Sequence, residues 1–118
     1  MKNILVIGIR SFISKNFIHD FNSNFNFFSI HRYFKKNNEK TFLETLDKNI
    51  RKNKIDLILN FAAINDNSFK VKNFDKILES NFYLPIALIK SANKYRIPLF
   101  LFLSKDKNEN DKLKNFYS

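Results

Sequence analysis

Apolar residues fall into two rhythms along this chain. Ile4-Leu5-Val6-Ile7, the stretch from Ile55 to Ala63 (Ile-Asp-Leu-Ile-Leu-Asn-Phe-Ala-Ala) and Ile97 to Leu103 are nearly unbroken apolar runs, the pattern of parallel strands buried on both faces. Phe25 to Ile30 is a further strand candidate, entered through the turn residues Asn22-Ser23-Asn24. The other rhythm is helical. Phe12, Ile13, Phe17, Ile18 and Phe21 predict a helix after Gly8, and Phe42, Leu43, Leu46 and Ile50 predict one from about Thr41 to Lys52. A third helical pattern, from Phe74 through Leu88 and Ile89, runs from about Asn73 to Tyr95. Pro85 lies inside it and removes a helical hydrogen bond, so a kink or break is expected there. Asn37 to Lys40 and Asp66 to Phe69 read as polar connections, and Lys105 to Lys114 as exposed loop.

Strand and helix therefore alternate, β-α-β-α-β-α-β. Right-handed crossovers would gather such a chain into an α/β, Rossmann-like parallel sheet of about four strands with helices on both faces. At 118 residues one domain, residues 1–118, accounts for everything, with 105–118 as a tail.

Within that frame the first strand, turn and helix carry candidate chemistry. Gly8 is the only glycine of the chain, and it stands where a βαβ unit would turn to cradle a pyrophosphate on backbone N–H groups at a helix N-terminus. The turn continues Ile9-Arg10-Ser11-Phe12-Ile13-Ser14, with serines in the places of the second and third glycines of the dinucleotide fingerprint. An ordinary strand-to-helix turn without a ligand remains open at this point. His31-Arg32 close the second strand with no carboxylate beside them. An acidic residue there would hold the ribose 2′-hydroxyl of NAD, whereas Arg32, joined by Arg10, suits the 2′-phosphate of NADP. His31 has no second ligand at metal spacing, so no metal site is expected.

Composition narrows the classes. No cysteine is present, which leaves neither disulfides nor thiolate metal sites. No apolar run approaches the ~20 residues of a membrane span, and no leader peptide is evident, so a cytoplasmic protein is expected. The formal charge of +10 raises nucleic acid as a partner. Its lysines, however, are spread along the chain (Lys2, Lys15, Lys35, Lys36, Lys52, Lys70, Lys90, Lys112) in a background of abundant Lys, Asn, Phe and Ile. A solvated surface is the reading preferred here, with nucleic acid disfavoured.

Four segments in the same order resemble the extended short-chain dehydrogenase/reductase family, the NAD(P)-dependent sugar-nucleotide epimerases, dehydratases and reductases. Gly8 to Ser14 resembles the family's G-x-x-G-F-I-G turn, and Asp56-Leu57-Ile58-Leu59-Asn60-Phe61-Ala62-Ala63 its D-x-V-I-x-x-A-A strand and turn. Asn81 to Ala92 resembles the N-x-x-G-x-x-x-L-x-x-A helix, and Arg96 to Ser104 the strand that follows. The resemblance implies a cofactor site at Gly8, Arg10, Ser11, Phe12, Ile13, Arg32, Phe61, Ala62, Ala63 and Asn81. It also implies nucleotide-sugar substrates and a possible homodimer through the helix around 73–95. Family chemistry needs a Ser or Thr after the fourth strand and a Tyr-x-x-x-Lys pair. Ser104 stands at the start of the family's serine run, but Lys105 and Asp106 follow it; Tyr117 is the tyrosine candidate, and no lysine follows it at the fourth position. A lone tyrosine with a pKa near 10 is a poor base at pH 7. The expectation is thus the NAD(P)-binding portion of such an enzyme, incomplete or inactive alone and completed by further polypeptide. A degenerate Rossmann-like interaction or regulatory module is the alternative.

Overall fold

The computed structural model describes residues 1–9, 12–30, 35–62 and 71–102. Four parallel strands, β1 (Lys2–Ile7), β2 (Phe25–Ser29), β3 (Leu57–Asn60) and β4 (Leu99–Leu101), form one sheet in the order β2-β1-β3-β4. Helices α1 (Phe12–Phe21), α2 (Glu39–Lys52), α3 (Val71–Leu78) and α4 (Leu84–Tyr95) connect them. A 3₁₀ turn, Lys36–Asn38, leads into α2, so the polar stretch read as a connector from 37 to 40 is instead the start of that helix.

Alternation along β1 sorts the core into two halves. Ile4 and Val6 join Leu59 and Phe61 on the α1 side, where Phe17 and Ile18 of α1 pack. Leu5 and Ile7 face the other way, onto Phe42, Leu46 and Ile50 of α2 and Leu84, Ala87, Leu88 and Ala92 of α4. Both faces are thereby covered, as the doubly wound architecture requires. Ion pairs Glu39–Lys90 (3.7 Å) and Asp47–Lys94 (2.8 Å) bridge α2 and α4 on the outside.

Two strands are shorter at their starts than the apolar runs predict, for one shared reason. The Ile55 N–H bonds the Ile50 carbonyl across Lys54 (φ 48°), and the Ile97 N–H bonds the Ala92 carbonyl across Arg96 (φ 53°). Each is a Schellman closure in which the isoleucine packs back on the helix it ends. Ile55 and Ile97 are therefore apolar because they cap helices, and their strands begin at Leu57 and Leu99. β4 also stops at Leu101 rather than Leu103, although the Phe102 N–H still bonds the Asn60 carbonyl at 2.9 Å.

Pro85 breaks the long helix as expected, in a specific way. Residues Glu79–Tyr83 form a π turn, closed by the Leu84 N–H bonding the Glu79 carbonyl five residues back. Proline, having no N–H, then enters α4 in its first turn, where none is needed. The extra residue of the π turn has a second effect. Phe74 and Phe82, eight apart, would be about 80° out of phase on a regular helix. With one residue absorbed, Phe74, Phe82 and Ile89 fall at effective spacings of seven, and all three are exposed (57, 55 and 42 %).

Candidate cofactor crevice

The chain leaves β1 for β2 on one side and later returns to β3 on the other, so the β1/β3 boundary is the topological switch point of the sheet. In open α/β sheets that point, at the carboxyl ends of the strands, is where ligands enter. Gly8 stands there with φ +80°. A Cβ on it would lie 2.7 Å from the Ala62 nitrogen and 2.9 Å from both the Ala62 Cα and the Phe61 carbonyl carbon. Both the left-handed conformation and the lack of space exclude any other residue.

The opposing wall is fixed by its own hydrogen bonds. Asn60, only 4 % exposed, accepts the Ala62 N–H on its Oδ1 at 3.0 Å, and the Phe61 N–H donates to the Ile7 carbonyl at 2.8 Å. An asparagine turn thus holds residues 60–62 against Gly8. Sequence reasoning passed over Asn60, although an amide inside an apolar run is a readable signal of a side-chain-capped turn.

The remaining sequence candidates divide. Ser14, in the third fingerprint position, is fully buried in the first turn of α1; that position sets how closely helix and strand pack. Ile13 is 48 % exposed on the first turn of α1. The backbone of Phe61 borders Gly8, but its ring is core, stacked on Phe102 (4.7 Å between centroids, 17°) and tilted against Phe17. Asn81 is exposed in the middle of the π turn, and Phe12 opens α1. Arg10, Ser11, His31, Arg32, Ala63, the 66–69 loop, Ser104, Lys105 to Lys114 and Tyr117 lie outside the described residues.

Lys35, Asn37, Asp75, Leu78, Glu79 and Tyr83, on segments that follow β2 and β3, also line an open hollow of about 570 Å³. That volume is in the range of small-molecule sites. None of these residues was singled out by the sequence analysis as part of a site. Among the described residues no group of three or more His, Cys, Asp or Glu side chains could hold a metal ion, and no helix is long and apolar enough to cross a membrane.

Residues 4–107 match the model of the NAD dependent epimerase/dehydratase family. Among solved structures, a monomeric L-threonine 3-dehydrogenase from a metagenome superposes with a TM-score of 0.63 at 21 % identity, over 82 % of this chain and 34 % of that one. CapF, crystallised with the inhibitor 3-isopropenyl-tropolone, matches at 22 % identity over 84 % of this chain and 29 % of that one, with a TM-score of only 0.37. This chain thus spans about a third of the length of the solved structures it matches. No curated protein matches it.

Proposed function

Because the chain belongs to the NAD dependent epimerase/dehydratase family, we propose that it is the portion of a nucleotide-sugar epimerase, dehydratase or reductase that holds the nicotinamide cofactor. The observation that carries this reading is Gly8. In a chain with a single glycine, that residue sits at the switch point, where a Cβ would strike the Phe61–Ala62 backbone. That close packing sets the end of β1 against the 61–62 turn and leads the chain into α1, whose N-terminal N–H groups would hold the pyrophosphate. Gly8, Ile13 and Ala62 would frame the cofactor, with Arg10, Ser11, Phe12, Arg32, Ala63 and Asn81 carried over from the family resemblance. A bound nicotinamide would supply hydride transfer.

Arg10 and Arg32, with no carboxylate at the end of β2, favour NADP over NAD. Ser104 and Tyr117 are the candidate catalytic hydroxyls. Turnover of a sugar substrate is proposed to require the remaining two-thirds of the fold, from the same or a second polypeptide, in the cytoplasm. Calorimetric titration with NADPH and NADH at low salt tests the cofactor reading. Expected is NADPH binding that Arg32→Ala abolishes. Absence of heat with either cofactor overturns it.

The stripe of Phe74, Phe82 and Ile89 favours association through α3 and α4, either as a homodimer or, in the second reading, as a binding module without catalysis. Phe82→Glu with Ile86→Glu should convert a dimer to a monomer by light scattering. An unchanged mass excludes this surface.

A further inference from the structure

We draw no further inference here: the strongest candidate, the outer edge of β4, where Phe100, Leu101 and the following Phe102 are exposed, carries none, because nothing in the structure shows what covers it.

Discussion

The two edges of the sheet treat left-handed backbone differently. At the crevice edge the position with φ +80° is glycine; at the opposite edge Lys54 and Arg96 adopt φ 48° and 53° with full side chains. An L-residue pays a conformational penalty of about 1–2 kcal/mol in such a position, which Lys54 and Arg96 bear and glycine does not. Only Gly8 also has neighbouring backbone within 3 Å of where a Cβ would be, while Lys54 and Arg96 project from an exposed edge. A chain so poor in glycine accepts strain where there is room and keeps glycine where there is none. Space, rather than dihedral preference, marks the functional end.

The largest effect that would break this contrast is expected from Gly8→Ala. Dihedral strain and forced displacement of the 61–62 backbone together should cost about 3 kcal/mol or more, read as a drop in the urea midpoint. A loss below about 1 kcal/mol would mean that the close approach at Ala62 relaxes freely. Next in size, Lys54→Gly and Arg96→Gly should each stabilise by about 0.5–1 kcal/mol, the relieved strain exceeding the added backbone entropy. Destabilisation by either would show that the lysine or arginine side chain contributes more than its backbone costs.

The smallest effect concerns Lys94 on α4. Its ammonium is held above the ordinary value of 10.5, first by the hydrogen bond to Asp47 and then by that carboxylate's charge, with Arg51 opposing. A raised folded pKa means the contribution is complete below about 10.5 and is lost as pH rises through the higher folded value. Lys94→Met should therefore flatten the decline in stability above pH 10.5. The pair is solvent-screened, so the difference will be slight.

Much of this was legible in the sequence, because buried parallel strands and amphipathic helices leave distinct apolar rhythms. All four strands follow from those rhythms, as does the interruption ahead of Pro85. What the rhythm could not separate is apolar residues with different duties. Ile55 and Ile97 read as strand although they close helices, and Phe61 borders Gly8 with its backbone while its ring belongs to the core. Asn60 was passed over because its role is a hydrogen bond two residues on, which shows as an amide within an apolar run and not as a periodicity.

The pairing of β1 with β2 and β3 also sets a sequence of events. Asn3 meets Asn26 across 23 positions but Asp56 across 53, and closing the longer loop costs roughly 0.7 kcal/mol more entropy. β1, α1 and β2 can therefore assemble before β3 arrives, leaving the Gly8 wall without its partner in the meantime. Refolding followed by pulsed amide exchange should show β2 amides protected before those of β3; simultaneous protection would contradict this order. The crevice would then be a late product of folding.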